Sequence, residues 1–191
     1  MNITIKPLTP EMADEFIYYF DHDAFTDHEE WAACYCLESH LTSEENERLV
    51  EKDDRRAAAR SLVESGVMRG YLVYDGDHIV GWCNAGDKSG YRTAFEAEGL
   101  VTEDDANTRI MSLYCIDLAK SYQGKGIAKL LLERVLSDAR EQGFDMVEGY
   151  PFADTEFAYQ YHAPLHLYEK YGFEVFRKLD WFYIVRKRVS A

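Results

Sequence analysis

One segment near the middle of the chain joins an apolar run to a long amphipathic stretch through two closely spaced glycines. Residues 110–118 are mostly apolar, which is typical of a buried strand. From about residue 124 to residue 142, apolar side chains recur on one face, which predicts a helix. Glycines at a helix entrance let a ligand approach the backbone, and the N–H groups and dipole of the first turn attract phosphate. The segment therefore predicts a phosphate site at the end of a strand, which suits a nucleotide-tailed cofactor.

Helices and strands follow one another along the rest of the chain. An Asp-Gly pair at residues 75–76 predicts the turn of a hairpin. The polar stretch over residues 86–107 reads as a long loop. Strands are predicted over residues 3–5, 70–74, 78–83, 146–150, 173–176 and 181–185, and helices over residues 10–19, from 42, over 57–63 and over 164–171. With no internal repeat or linker, the chain is predicted to be one α/β domain, residues 1–191.

Charge and composition exclude some classes of protein. The net charge of −14 argues against a nucleic-acid-binding surface, and fits either steering of a cationic acceptor or plain solubility. No basic-then-apolar signal pattern begins the chain, and no stretch approaches the roughly 18 apolar residues that span a bilayer. Four cysteines are too sparse for a stapled secreted fold and favour free thiols. We expect a cytoplasmic protein that binds neither membrane nor nucleic acid.

Two motifs carry a family resemblance. Tyr122 precedes the first motif, which reads Gln123, Gly124, Lys125, Gly126, Ile127 and Ala128. The second follows about forty residues later, as Leu-Tyr-Glu-Lys-Tyr-Gly-Phe over residues 167–173. With the order of elements from Ile3 onward, they resemble the GNAT N-acetyltransferase superfamily, and residues 81–84 and 148–151 are similar to a bacterial branch of it. The resemblance implies a GNAT fold: a mixed, mostly antiparallel central sheet with helices on both faces, splayed at the cofactor strand.

The resemblance implies acetyl-CoA as the co-substrate. Its pyrophosphate would be held by the backbone N–H groups of the first motif, Gln123, Gly124, Lys125, Gly126, Ile127 and Ala128. Its pantetheine arm would pair with the end of the preceding strand, at Ile116, Asp117 and Leu118, and the Leu118 N–H would face the developing oxyanion. The alternative is a tight strand-to-helix turn without a ligand. Many family members carry an Asn seven residues before the signature Tyr, where this chain has Tyr161 followed by His162, so that arm contact is not carried over.

Acetyl transfer needs an acid for the departing thiolate and a route for the proton of the amine. By resemblance Tyr168 is the acid, and its reference pKa near 10 lies above that of a thiol; a packing role is the alternative. Glu148 is the first candidate for the base, because a charge within an apolar strand either faces a cleft or is paired. Asp117 is the second, although strand alternation can point it to the far face. His162, His166 and a water chain are further alternatives.

Residues 21–36 form the most unusual local cluster, rich in carboxylates, histidines, aromatic rings and cysteines. They predict either the wall of an acceptor pocket, in which carboxylates and rings face a cation, or plain helical packing and capping. A metal site is a third interpretation, but Cys34 and Cys36 without a second pair have poor spacing for structural zinc, so we predict none. Trp82, Tyr114 and Tyr150 are predicted as core or pocket lining.

These features predict an acetyltransferase of the cytoplasm. The enzyme would move an acetyl group from acetyl-CoA to a primary amine of a small cationic acceptor, by direct attack in a ternary complex. A polyamine, an aminoglycoside, an amino-acid derivative and a protein amine all stay open as acceptors, and a homodimer is compatible with the sequence. The alternative function is a non-catalytic acyl-CoA-binding sensor or interaction module.

Overall fold

The structure, a computed structural model, describes residues 1–97, 99–153 and 161–189. Its strands form one seven-stranded sheet. They are β1 (Ile3–Pro7), β2 (Gly70–Asp75), β3 (His78–Asp87), β4 (Ile110–Leu118), β5 (Met146–Gly149), β6 (Glu174–Lys178) and β7 (Tyr183–Arg188). The order is β1-β2-β3-β4-β5-β7-β6, and each neighbouring pair is antiparallel except β4 and β5, which run parallel. The predicted mixed, mostly antiparallel sheet is confirmed.

Helices cover both faces of the sheet, as predicted. They are α1 (Ala13–His22), α2 (Ser43–Arg48), α3 (Lys52–Glu64), α4 (Arg92–Ala97), α5 (Ile127–Glu141) and α6 (Leu165–Lys170). Side chains of α1 and α3 share a core with Trp82 on one face, while those of α5 and α6 share a core with Val147 on the other. None of the described helices has the length and apolarity that crossing a bilayer requires.

Local signals explain where several elements begin. A capping box between Thr42 and Glu45 starts α2. Pro10–Met12 forms a 3-10 turn before α1, so this helix begins three residues after the predicted start. The stripe of α5 is buried as predicted at Leu131 and Val135, where each buried side chain contributes roughly 1.5–3 kcal/mol. Leu130, an apolar residue of the same helix, is instead 41% exposed.

The predicted long loop over residues 86–107 is wrong for most of its length. Strand β3 continues to Asp87, and a 3-10 turn (Lys88–Tyr91), helix α4 and a second 3-10 turn (Glu103–Asn107) follow it. The described part of this segment packs onto the core through a few large buried side chains, within a polar sequence that shows no clear period. They are Tyr91, Phe95 and Leu100.

Candidate active site

The turn between β4 and α5 has a left-handed backbone at two glycines. The φ angles are +71° at Gly124 and +81° at Gly126, which caps α5, and other residues rarely adopt such angles. A Cβ at either glycine would meet nothing within 4 Å, so no other part of the chain crowds these two positions. No described group accepts a hydrogen bond from the N–H of Gly124, Lys125 or Gly126. Unpaired amides at the positive end of a helix dipole fit a pyrophosphate group.

Strands β4 and β5 diverge next to this turn. They pair only from Ile110 with Met146 to Leu113 with Gly149. On its other side β4 carries one extra residue, Tyr114, because the β3 register skips it. Beyond Leu113, β4 therefore pairs with β3 alone and presents an edge toward the gap, which is the predicted splay.

Residues 161–163 lie along that edge of β4. The Ile116 N–H donates to the Tyr161 carbonyl oxygen at 2.6 Å, and Nδ1 of His162 hydrogen-bonds the Tyr114 carbonyl oxygen. Ala163 has a φ of +58°, which is unusual for a residue with a Cβ. Ile116, the first residue predicted to pair with a pantetheine arm, is thus engaged by the chain itself. A ligand can pair with the Ile116 N–H only after this segment moves.

The side chain of Tyr168 packs against β5, and its hydroxyl reaches the segment that lies along the β4 edge. It is fully buried, and its hydroxyl donates to the His162 carbonyl oxygen at 2.9 Å. The ring packs closely against Gly149, where a Cβ would come within 2.4 Å of Cε1. Burial raises the pKa of Tyr168, which keeps the hydroxyl protonated at neutral pH, as a proton donor requires. Its role as the acid stays a prediction.

The sequence left two placements open for Glu148, facing a cleft or being paired with a counter-charge. In the structure it is paired. Its carboxylate is fully buried on β5 and does not line the cavity described below. Oε1 accepts hydrogen bonds from Lys88 and from the Tyr150 hydroxyl, the latter at 2.7 Å, and Oε2 accepts one from Arg186. Since both oxygens are occupied, Glu148 has no direct contact path to an acceptor amine, and its role as base stays a prediction that needs a relay.

Four charges balance in this buried cluster. Lys88 and Arg186 each bridge Glu148 and Asp105, and the Lys88 Nζ lies 2.8 Å from Oδ2 of Asp105. Burial acts to raise the pKa of Asp105, but hydrogen bonds from Lys88 and Thr102 outweigh it and hold this pKa at about 2. The cluster fastens the 88–107 segment to the sheet.

The structure also shows the surroundings of the other candidate bases, Asp117, His162 and His166. The Asp117 carboxylate is buried toward α1 and accepts a hydrogen bond from the Tyr19 hydroxyl at 2.7 Å. His162 is buried, and this burial lowers its pKa to about 4 although the bond to the Tyr114 carbonyl acts in the opposite direction. His166 is exposed on α6.

A cavity of about 260 Å³ opens between the 21–36 cluster and β4. Part of the cluster lines it, together with residues from elsewhere in the chain, and Glu30 is the one carboxylate of the cluster in the described lining. The acceptor-pocket interpretation of the cluster stays a prediction. The lining is Phe25, Glu30, Trp31, Ala33, Cys34, Cys36, Glu38, Arg55, Tyr114, Cys115 and Tyr161. Tyr114 and Tyr161 also flank the β4 edge, so the cavity adjoins the gap between β4 and β5. Trp82 and Tyr150 are fully buried core residues, whereas Tyr114 is both core and lining.

Thiols form the inner part of this cavity. The Cys36 thiol accepts a hydrogen bond from Nδ2 of Asn84 at 3.1 Å, and one from the Cys115 thiol lowers the pKa of Cys36. The same bond and burial raise the pKa of Cys115. In residues 1–97, 99–153 and 161–189, no three His, Cys, Asp or Glu side chains are placed to hold a metal ion. The metal interpretation of the cluster therefore gains no support.

Sequence reasoning missed the partners that come from distant parts of the chain. Lys88 and Arg186, which hold Glu148, stand 60 and 38 residues from it. Arg55 on α3 enters the cavity wall and donates to the carbonyl oxygens of Ala33 and Cys34. The one available signal was Glu148 itself, because a carboxylate in an apolar strand demands a counter-charge.

Comparisons with known proteins agree with this geometry. Residues 68–175 match the family model described as an acetyltransferase (GNAT) domain. An acetyltransferase of the GNAT family from Streptococcus pneumoniae is 18% identical, with 98% of this chain and 99% of that chain covered and a TM-score of 0.55. The yncA structure from Salmonella typhimurium with its cofactor acetyl-CoA is 15% identical (99% and 95% covered, TM-score 0.56). The PaiA N-acetyltransferase of Thermoplasma acidophilum in complex with coenzyme A is 14% identical (98% and 99% covered, TM-score 0.58). No curated protein sequence matches the chain.

Proposed function

This chain belongs to the GNAT acetyltransferase family, and we propose that it transfers an acetyl group from acetyl-CoA to the primary amine of a small cationic acceptor. One observation carries the proposal: the open amide turn before α5 continues directly into a strand edge that adjoins both Tyr168 and a cavity. We also propose, on the sequence argument alone, that the protein is cytoplasmic and that residues 1–191 form a single domain.

Acetyl-CoA supplies the activated acetyl group. We assign its pyrophosphate to the backbone N–H groups of residues 123–128, since those of Gly124, Lys125 and Gly126 have no described acceptor. The Gln123 N–H donates to the Lys120 carbonyl oxygen at 3.4 Å and would have to leave it. The arm would lie along the end of β4, at Ile116, Asp117 and Leu118, once residues 161–163 leave that edge. An extended, amide-bearing ligand can hydrogen-bond to an open strand edge as a further strand would.

Two of the chain's groups would then act on the thioester. The Leu118 N–H would stabilise negative charge on the carbonyl oxygen, because a fixed backbone donor needs no reorganisation as that charge develops. The Tyr168 hydroxyl would leave the His162 carbonyl and protonate the departing thiolate. Tyr168 is suited to this step because its raised pKa keeps it a donor.

The amine must lose a proton on attack. Glu148 remains the proposed base, and it needs a proton relay, because the described bonds of its carboxylate lead to Lys88, Arg186 and Tyr150 and none of these lines the cavity. A water chain through the cavity mouth is the competing route.

Release of free thiol from acetyl-CoA with a panel of amines tests the function. We expect Tyr168→Phe to lower kcat about 10²–10⁴-fold, the usual contribution of a positioned proton donor, and to leave the Kd for CoA nearly unchanged. Equal kcat in the variant would remove the assigned role of Tyr168.

One observation favours the second candidate function, an acyl-CoA-binding sensor. Since Tyr161 and His162 occupy the β4 edge, donor binding has to rearrange them, and a sensor requires such a change. A sensor would bind CoA and release no thiol with any amine, so the same assay separates the two functions.

A further inference from the structure

Resting on the proposed acetyl transfer, we propose that the acceptor is a primary monoamine carried on an aromatic or similarly flat, apolar body. This assigns the cavity beside β4 as the site of that body. Polyamines and aminoglycosides, which carry several ammonium groups, would be poor acceptors.

The position of the cavity fixes how an acceptor would lie in it. Its inner end is formed by buried residues of β4 and the 21–36 cluster, namely Tyr114, Cys115 and Cys36. Its outer end carries the exposed residues Glu30 and Glu38. The reacting amine has to reach the β4 edge, so the rest of the acceptor occupies the space between the inner and outer ends.

The walls of that space are aromatic and apolar. Among the residues that the structure describes, four rings line the cavity, those of Phe25, Trp31, Tyr114 and Tyr161. Trp31 meets Phe25 and Tyr161 edge-on, at ring distances of 6.0 and 5.7 Å, which leaves the three rings around one volume. Such walls favour a flat apolar group, through both area burial and ring–ring geometry.

The charges around the cavity argue against a second ammonium group inside it. The Glu30 side chain is 63% exposed and bonded to His28, so its charge is largely screened by water. Arg55 is held by backbone carbonyls of Ala33 and Cys34 and would repel a cation. At the inner end, the described lining offers thiols and rings but no carboxylate. A buried second ammonium would lose its hydration without gaining a counter-charge.

The volume of the cavity also argues against a large acceptor. A volume of about 260 Å³ lies below the roughly 300–1,000 Å³ of drug-sized ligand pockets. It accommodates one ring system with a short amine-bearing chain, whereas an aminoglycoside would extend out of it.

Trp31 is the residue that would recognise the body of the acceptor. One of its faces stacks on His28, at a ring distance of 4.2 Å, which fixes the orientation of the indole. A residue that contacts the body of the acceptor and not its amine should discriminate among amines.

The test measures kcat/KM for phenethylamine, tryptamine, propylamine, spermidine and kanamycin. We expect the two aromatic amines to exceed spermidine and kanamycin by about tenfold or more, in line with what apolar pockets discriminate. Trp31→Ala should lower kcat/KM for phenethylamine about tenfold, a loss comparable to that of one or two apolar groups. It should leave kcat/KM for propylamine within about twofold of the unsubstituted protein's value. The matched control is Trp181→Ala, since Trp181 is 75% exposed and lies outside the cavity lining.

Each outcome decides one of the two proposals. A preference for spermidine or kanamycin, or an equal loss for all amines in Trp31→Ala, overturns the acceptor class while leaving acetyl transfer intact. If no amine releases thiol, acetyl transfer itself fails, and calorimetric titration of the CoA-bound protein with phenethylamine then decides the chemistry of the cavity. Binding that Trp31→Ala abolishes supports the assigned body site, and absence of binding refutes it.

Discussion

Replacing Gly149 by alanine tests whether the position of Tyr168 matters for catalysis, without altering Tyr168 itself. Gly149 ends β5, and the Tyr168 ring covers it so closely that an added Cβ would lie 2.4 Å from Cε1 and 2.8 Å from the hydroxyl oxygen. The strand cannot yield easily, because Gly149 pairs with both Leu113 of β4 and Val185 of β7. The ring therefore has to move.

The geometry sets the size of the effect. Ordinary van der Waals contact begins at 3.4 Å, so the ring has to retreat by about 1 Å. Overpacking of this kind costs about 1–3 kcal/mol of unfolding free energy. For a chain of this size, 1 kcal/mol lowers Tm by roughly 2–4 °C, which gives a fall of about 2–12 °C. A displacement of about 1 Å in a reacting group lowers kcat about 10²-fold.

The assay compares kcat, the Kd for CoA and Tm among Gly149→Ala, Tyr168→Phe and the double variant. Gly90→Ala is the control, because a Cβ there meets nothing and its φ lies outside the left-handed region. If Gly149→Ala acts through Tyr168, it adds little further loss of kcat in the Tyr168→Phe background. A Gly149→Ala variant that loses stability but keeps full kcat would refute the positioning argument, and so would full additivity of the two losses.

Two further predictions concern stability. Glu148→Gln should lower the unfolding free energy by about 3–5 kcal/mol in urea titrations at pH 7, because it leaves two buried cations with one carboxylate. The control is Glu38→Gln at an exposed position, which should change the unfolding free energy by less than about 0.5 kcal/mol. Equal effects of the two substitutions would contradict the role of the buried charge cluster. Below the unfolded-state pKa of about 6.5 the unfolded chain protonates His162 while the fold keeps it neutral down to about pH 4. As the pH is lowered from about 6.5 to about 4, this group should therefore reduce the unfolding free energy by about 1.4 kcal/mol per pH unit. His162→Asn should flatten that part of the pH profile. An unchanged slope would show that His162 is not buried in its neutral form.

The sequence predicted best what neighbouring residues determine. The apolar run and the two glycines specify β4 and its turn, and β4 has its predicted bounds. Helix α5 begins three residues later than predicted, because Gly126 takes the left-handed capping position and Gly124 lies in the turn. The parallel pairing of β4 with β5, in contrast, is a long-range contact that strand patterns do not encode.

The candidate site was less predictable because its parts come from distant segments. Sequence alternation marks Glu148 as unusual but cannot identify Lys88 and Arg186 as its partners, since one lies in the 88–107 segment and the other on β7. Composition left the 21–36 cluster open between a pocket wall and helical packing. The opposite wall of the cavity was not predictable at all, because Arg55 and Tyr161 arrive from α3 and from the segment before α6.

Tyr161 joins the donor edge to the acceptor cavity, and this suggests that the two ligands bind cooperatively. Its carbonyl holds the Ile116 N–H, and its ring lines the cavity beside Trp31. A donor arm that takes over the Ile116 N–H replaces the bond to Tyr161, and movement of the segment also breaks the bonds from His162 to Tyr114 and from Tyr168 to His162. If the Tyr161 ring moves with its carbonyl, the wall of the cavity moves with it. We expect CoA to change the Kd for phenethylamine, and phenethylamine to change the Kd for CoA by the same factor, as linkage requires. Calorimetric titrations in both orders measure this, and two Kd values that are each independent of the other ligand would refute the coupling through Tyr161.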